Sequence, residues 1–164
     1  MDIDVTAPTA GACPETWTVG ARLTPVSGQT TGIVSLQSVP YDSWTAVPGA
    51  ELTLPEAGIY EVIADVQGGI IMPGSVANAW LGARLFDVTA GAVVPLSTRT
   101  VTLFSATPAD GVTHTLHGNA SAAALYQVAG PVTIRVEGLK HVDSGITTGD
   151  VVFVPAFRFT KTAD

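Results

Sequence analysis

Two apolar stretches decide the fold of this chain: Pro55–Val66, PEAGIYEVIADV, and Val151–Phe159, VVFVPAFRF. The first reads as a turn followed by a strand, because its side chains alternate in character between the two faces. The second is apolar on both faces, which is not the pattern of a strand that borders water on one side. We expect one of its faces to meet the partner sheet of a small β domain, and the other to meet a second copy of the chain.

The composition of the 164 residues favours a single all-β domain. Seventeen glycines and eleven prolines interrupt the chain too often for long helices. Charged residues make up only 13% of the chain, about half of the usual 25% or so, and much of the surface must therefore be neutral. Strand-like segments separated by turn signals run from Thr16 to Thr160. Roughly eight to ten short antiparallel strands of this kind predict a sandwich or a barrel.

Glycine, proline and small polar residues mark the expected breaks between these strands. Gly68-Gly69 is expected to end the strand that begins at Ile59, so that Ile70 and Ile71 are exposed in a loop. This loop is expected at Ile70–Val76. Other turns are expected at Ser27-Gly28, at Pro48-Gly49 and at the polar stretch Asp143–Asp150, DSGITTGD.

The charge of the chain argues against nucleic-acid partners, and the lack of a long apolar run argues against a membrane span. The net charge is −7, and so acidic a surface repels phosphate backbones. No apolar run reaches the roughly 18–20 residues that a membrane helix needs. The N-terminus, MDIDVTAPTAG, lacks the basic and apolar regions of a signal peptide. We therefore expect synthesis in the cytoplasm and no association with membranes.

No set of residues indicates catalysis, a metal site or a cofactor. His114 and His117 are three positions apart, so on a strand they point to opposite faces and cannot both bind one ion. Glu61 and Asp65 share a strand face but lie about 13 Å apart, too far for a pair of hydrolytic carboxylates. The single cysteine, Cys13, cannot form an internal disulfide. We expect no enzymatic activity and no cofactor.

Residues 1–14 are predicted to form an N-terminal arm that precedes one domain in residues 15–164. The arm contains scattered apolar residues among Ala, Pro and Gly. A segment of this kind becomes ordered by packing on something else.

Four stretches resemble the strands of the C1q/tumour-necrosis-factor jelly-roll family, and together they cover nearly the whole chain after residue 14. They are TWTVGARLT at Thr16–Thr24, YDSWTAVPGAELTLPEAGIYEVIADV at Tyr41–Val66, LYQVAGPVTIRVEG at Leu125–Gly138 and GDVVFVPAFRF at Gly149–Phe159. The resemblance implies an antiparallel jelly-roll sandwich that assembles into a compact homotrimer.

The resemblance also assigns side chains to the two faces of the sheet that surrounds the trimer axis. The residues placed toward the axis are Ile63, Tyr126, Val152, Val154 and Ala156. Those placed inside the sandwich are Tyr60, Val62, Phe153, Phe157 and Phe159. Arg158 is expected near one end of the axis, either in a salt bridge to Glu61 or Asp65 of a neighbouring subunit or as an exposed charge at the rim.

The resemblance extends to small jelly-roll proteins of bacteriophage virions. It implies a non-enzymatic virion protein, a trimeric capsid decoration protein, that is made in the host cytoplasm. Its partners would be its own copies and the major capsid protein or tail proteins. The arm would contact the capsid through Asp2, Ile3, Val5, Pro8 and Cys13, with Ile70–Met72 as a second contact. Two alternatives stay open: a tail-tip or fibre receptor-binding protein, and a bacterial C1q-like ligand-binding module.

Overall fold

The computed structural model describes residues 2–6, 18–22, 26–73, 77–105 and 112–164, with the backbone alone for 2–6, 18–22 and 77. Within these ranges every regular element is a β-strand, and no helix is present that could span a membrane. The strands are β1 Asp2–Thr6, β2 Thr18–Arg22, β3 Ser27–Ser35, β4 Thr45–Leu54, β5 Gly58–Met72, β6 Ala77–Asp87, β7 Ala92–Val93, β8 Arg99–Phe104, β9 His114–Val128, β10 Val132–Ser144 and β11 Thr148–Ala163.

Two antiparallel sheets make up the domain. The front sheet has the strand order β3-β11-β5-β9. The back sheet has the order β4-β10-β6, with β7 and β8 both paired to β6. Most successive strands alternate between the two sheets, which is the connectivity of a jelly roll. The predicted jelly-roll sandwich is therefore confirmed.

The hydrophobic core lies between the two sheets. Alternate side chains of β5 point inward, and Tyr60, Val62, Ala64 and Val66 are all fully buried. The back sheet supplies the opposite layer through Leu54, Leu81, Leu85, Ile134 and Val136. This alternation is the pattern that the stretch PEAGIYEVIADV predicts, and its placement in the core is confirmed.

Strand β5 is longer than predicted, because Gly68-Gly69 does not end it. The strand pairs with β9 without a break to Met72, and Ile70 is fully buried rather than exposed. A β-carbon on Gly68 would lie 3.0 Å from side-chain atoms of both Leu81 and Val101 in the back sheet. Glycine is needed here because the sheets approach closely, and it does not mark a turn.

Two other expected turns lie inside strands. Ser27-Gly28 begins β3, where it pairs with the end of β11. Pro48-Gly49 is a bulge within β4, since the pairing with β10 shifts register there and Gly49 has a φ of +84°. The bulge contacts β3, and the Thr30 hydroxyl donates a hydrogen bond of 2.8 Å to the Gly49 carbonyl. It therefore connects the edges of the two sheets.

A β-bulge in the middle of β11 reverses which residues face the core. The register with β3 shifts between Val154 and Phe157, and the register with β5 shifts between Phe153 and Ala156. The bulge contains Pro155, which cannot donate a backbone hydrogen bond and is tolerated in strands at such irregularities. Even-numbered residues point inward before the bulge, and odd-numbered residues point inward after it.

The predicted faces of β11 are consequently wrong before the bulge. Val152 and Val154, which were expected to face a trimer axis, are fully buried in the sandwich. Phe153, which was expected in the core, lies on the outer face and is exposed. Beyond the bulge the predicted placement of Phe157 and Phe159 in the core is confirmed.

Strands β1 and β2 form a two-stranded antiparallel sheet of their own. The stretch Thr16–Thr24 was assigned by resemblance to the first jelly-roll strand, yet β2 within it pairs with β1 instead. Strand β3 occupies the edge of the front sheet next to β11. The family resemblance therefore misplaced this first strand.

Gly32 provides a test of the close contact between the β4 bulge and β3. A β-carbon at Gly32 would lie 2.6 Å from the Pro48 carbonyl oxygen and 2.7 Å from the Ala50 nitrogen. Both are backbone atoms, so Gly32→Ala is expected to lower the free energy of unfolding by about 1–3 kcal/mol. Chemical denaturation measures this change. The control is Gly130→Ala, where nothing lies within 4 Å, and a similar loss in both variants would contradict the packing argument.

Candidate interaction surfaces

The outer face of the front sheet is broad and mostly uncharged. Its rows cross all four strands, as in the row Ile33, Phe153, Gln67 and Asn119. Leu125 at the far edge is 72% exposed. Other apolar side chains of this face are half-buried or exposed: Ile33, Ile59, Ile63, Ala123, Phe153 and Ala156. We call this surface the front face.

The five side chains that were expected to face a trimer axis separate into two groups. Ile63 and Ala156 lie on the front face, where both are half-buried, and their position toward a trimer axis stays a prediction. Val152, Val154 and Tyr126 point toward the interior of the sandwich. The Tyr126 hydroxyl donates a 2.7 Å hydrogen bond to Asp87 of the back sheet. Burial and the Asp87 carboxylate raise the pKa of Tyr126 to about 12. The prediction that Tyr126 faces a trimer axis is wrong, because the even-numbered residues of β9 face the core.

Arg158 and Asp65 form a salt bridge on the front face. The Arg158 Nη1 to Asp65 Oδ2 distance is 2.6 Å, and the Ser121 hydroxyl donates to the other carboxylate oxygen at 2.8 Å. The hydrogen bond from Arg158 is the main reason that the pKa of Asp65 is lowered, followed by that from Ser121. The expected pairing of Arg158 with Asp65 occurs within one chain, and not between subunits.

A depression of about 470 Å³ lies on the front face where glycines meet. Gly69 of β5 pairs with His117 of β9, and a β-carbon at Gly69 would lie 3.1 Å from the His117 Nδ1 atom. The imidazole therefore packs directly on the backbone of the neighbouring strand. Gln67, Asn119, Val151 and Phe153 line the rest of the depression, which is open and of mixed polarity.

The outer face of the back sheet carries two arginines, one buried carboxylate and two aromatic rings. Arg84 and Arg135 both bind Glu137, at 2.7 and 2.6 Å. The Arg84 guanidinium lies 4.2 Å from the centre of the Trp44 ring, and that of Arg135 lies 4.9 Å from the centre of Phe86. Cation–π contacts and the shared carboxylate hold all five side chains in place, so Trp44 is a packed surface residue.

One end of the sandwich is formed by residues 36–44 and by the turn 145–147, and we call it the loop end. At its surface His141 lies between two carboxylates, Asp42 at 2.6 Å and Asp143 at 2.8 Å. Asn78 donates to Asp143 at 2.8 Å, and the Trp80 ring stacks on His141 with a centroid distance of 5.5 Å. These contacts connect the β3–β4 loop to β6 and β10.

Beneath this surface lies a buried ion pair. Lys140 and Asp150 are 3.2 Å apart and almost completely inaccessible. Lys140 also donates to the Gln37 carbonyl at 3.0 Å, and Thr147 donates to Asp150 at 2.6 Å. The stretch Asp143–Asp150 is therefore only in part a polar turn, because Thr148–Asp150 belongs to β11 and Asp150 anchors the turn from inside.

The described residues contain no group of three or more His, Cys, Asp or Glu side chains that would hold a metal ion. His114 packs beside Phe104 with a ring-centroid distance of 5.5 Å, whereas His117 lines the depression. Within these ranges the two histidines are thus placed on different faces of β9.

The predicted capsid-contact arm is only partly covered by the structure. Asp2, Ile3 and Val5 lie in β1, whose backbone pairs with β2. Pro8 and Cys13 lie outside the described residues. Of the proposed second contact Ile70–Met72, the side chains of Ile70 and Met72 are fully buried, so they cannot contact a capsid.

Comparison with known proteins concerns the fold alone. No protein-family model matches the chain, and no curated protein matches it. Among solved structures, one of infectious bursal disease virus Gt strain is similar over 94% of this chain, with 14% identity and a TM-score of 0.46. The present chain spans only 37% of that chain.

Two smaller proteins are similar over most of both chains. The globular domain of zebrafish complement 1qA protein matches 83% of this chain and 98% of its own, with 12% identity and a TM-score of 0.39. Eiger TNF from S. frugiperda matches 85% of this chain and 94% of its own, with 13% identity and a TM-score of 0.40.

The loop end is the feature that sequence reasoning missed. Trp80 pairs in register with His141 across β6 and β10, which no local pattern in either strand indicates. The sequence contained no signal for Lys140 and Asp150, because a lysine in a strand is usually exposed.

The clamp formed by Asp42, His141 and Asp143 predicts a dependence of stability on pH. Hydrogen bonds that the imidazole donates to Asp42 and, to a smaller extent, to Asp143 raise the pKa of His141 above its ordinary value of 6.5. The stabilisation is therefore complete below the ordinary pKa and is lost as the pH rises through the raised pKa. The destabilisation caused by His141→Gln should be larger at about pH 5.5 than at about pH 9, measured by chemical denaturation.

The matched control is His117→Gln, which lies on the front face away from both carboxylates of the clamp. Because the pKa of Asp143 is lowered in the folded protein, the stabilisation by its carboxylate is present above the ordinary pKa of 3.8. This stabilisation is lost as the pH falls through the lowered pKa. An equal effect of His141→Gln at both pH values would contradict the clamp.

Proposed function

We propose that this chain is a non-enzymatic structural protein of a bacteriophage virion, in which three copies form a capsid decoration. The observation that carries the proposal is the front face, a broad and mostly uncharged surface on a β-sandwich that has a core of its own. Leu125, Ile33 and Phe153 expose apolar area there. These three residues lie on β9, β3 and β11 of one sheet, so one partner that covers this face would remove all three from water. The resemblance to trimeric virion proteins supports the choice of partner, which is the same chain.

Burial of the front face between subunits would be favourable. Each fully buried large apolar side chain contributes about 1.5–3 kcal/mol, and the trimer needs no additional stalk. The Asp65–Arg158 pair is already neutralised within one chain. Glu61, which pairs in register with Leu125 on the same face, has to stay at the rim of the interface, because burying its charge would be costly. The corrected interface consists of Ile33, Ile63, Ala123, Leu125, Phe153 and Ala156, and Val152 and Val154 support it from the core.

The proposal of a non-catalytic role rests on how the ionisable groups are used. Glu137 is engaged by two arginines, Asp150 by Lys140 and Thr147, and Asp65 by Arg158 and Ser121. These arrangements hold strands and loops together. A structural protein has a use for such pairs, and the sequence contains no nucleophile-and-base motif that would compete with this interpretation.

A charge placed on the front face tests the trimer. Ile63→Lys puts an ammonium beside Arg158, with which Ile63 is paired in register, and like charges in an apolar interface oppose association. Light scattering after gel filtration should give three times the chain mass for the wild type and a single chain mass for the variant. Thr53→Lys, on the outer face of the back sheet, is the control. A wild type of single-chain mass would contradict the trimer.

Attachment to the virion is tested with particles of the source virus assembled without this chain. Purified protein should bind them, and removal of residues 1–14 should abolish binding while the trimer stays folded. Quantitative gel analysis of intact virions should give hundreds of copies per particle. Few copies, together with binding of the isolated domain to host cells, would instead indicate a tail-tip or fibre receptor-binding protein. Absence from virions would favour the C1q-like ligand-binding module.

A further inference from the structure

Two amide side chains lie next to each other on the front face without a hydrogen-bonding partner. Gln67 and Asn119 are paired in register across β5 and β9, and both side chains are exposed. Within the part of the chain that the structure describes, neither side chain has a hydrogen bond or an ion pair. Each amide can both donate and accept hydrogen bonds. We call Gln67 and Asn119 the amide pair.

The amide pair lines two depressions of the front face at once. The depression of about 470 Å³ lies on the side of Gly69 and His117. A second depression, of about 340 Å³, lies on the side of Ser121 and Pro155. Space is therefore open on both sides of the two amides, and side chains from another molecule can enter it.

The charged side chains of the front face all lie on one side of the amide pair. Within the described residues they are Glu61 and Asp65, which precede Gln67 in β5, and Arg158, which is paired with Ile63. The described positions from Gln67 onward in β5, and those paired with them in the rest of the front sheet, include no lysine, arginine, aspartate or glutamate on this face. Because unpaired charges are costly to bury, this uncharged end is the part that subunits can enclose most completely.

Enclosing the amide pair would be unfavourable unless each amide regained the hydrogen bonds that it makes with water. Within the described residues its own chain supplies none, so the partners have to come from the neighbouring subunits. An amide is complementary to another amide, because both carry donors and acceptors. In a closed threefold assembly the same residue of each chain lies at the same distance from the axis, and three equivalent amides can therefore bind one another in a ring.

We propose that Gln67 and Asn119 of three copies of this chain hydrogen-bond to one another around the axis of the trimer, and that the neighbouring copies fill the two depressions. This inference rests on the trimer of the proposed function. Phe153 and Ile33 extend the same row across β11 and β3, and apolar neighbours of this kind exclude water from a polar contact. Apolar contacts are not directional, whereas enclosed amides fix the alignment of the chains.

The experiment places a charge in the ring without changing its shape much. Asn119→Asp brings three carboxylates together at the axis, and like charges in contact oppose association. The full-length variant is expected to dissociate at a protein concentration at least about tenfold higher than the wild type, measured by light scattering in a dilution series. The matched control is Gln127→Glu, which makes the same kind of change on the outer face of β9 beyond Leu125. It is expected to shift dissociation by less than about twofold.

A mixture of two charged variants provides the second arm. Asn119→Lys is also expected to dissociate, and its thermal unfolding and that of Asn119→Asp are compared with the wild type to show that both chains are folded. Opposite charges at one position attract each other across subunits. An equimolar mixture of the two variants is therefore expected to form three-chain species that contain both chains, measured by native mass spectrometry.

The outcomes separate this inference from the proposed function. Trimers that persist in both Asn119 variants would overturn the ring of amides and leave the trimer intact, since the amide pair would then face water or another ligand. Dissociation of both variants without recovery in the mixture would also overturn the contact between copies at Asn119. A wild type of single-chain mass would overturn both the ring and the trimer.

Discussion

The bulge at Pro155-Ala156 is the constraint on which the rest of the structure depends. Strand β11 lies between β3 and β5, so its register sets which side chains of the front sheet enter the core. Val152 and Val154 fill the core on one side of the bulge, and Phe157 and Phe159 fill it on the other. Without the extra residue, one half of β11 would direct its large side chains into solvent. The bulge also places Phe153 and Arg158 together on the front face.

Close approach between sheets is the second requirement of the fold, and glycine meets it. Gly68 and Gly118 face each other in β5 and β9, beneath Val101 and Thr102 of the back sheet. Gly32 accommodates the bulge of β4 in the same way. The sandwich is therefore narrow at these points, and aromatic residues such as Tyr60 and Phe159 fill the wider part, where their rings meet edge to face.

Charged groups act mainly as connectors between distant parts of the chain. Lys140 and Asp150 join two loops at one end, and Asp65 and Arg158 join β5 to β11 on the front face. The protein is acidic and has few lysines and arginines, most of which are bound to carboxylates within the chain. The rest of its surface therefore consists mainly of carboxylates and uncharged side chains. The proposed interface on the front face follows from that distribution, because the side chains of that face are mostly uncharged.

The sequence by itself determined the all-β class, most strand positions and the inward face of β5, since glycine and proline punctuation and a two-residue period are local properties. The prediction that β11 is covered on both sides depends on the proposed trimer. Only the tertiary structure decided the faces of β11 and the inward direction of Tyr126. In a strand that is apolar on both faces, the sequence does not show which alternate residues point into the core. A bulge then exchanges the two faces by inserting one extra residue. The buried pair of Lys140 and Asp150 depends equally on how two loops meet in space, which no local pattern records.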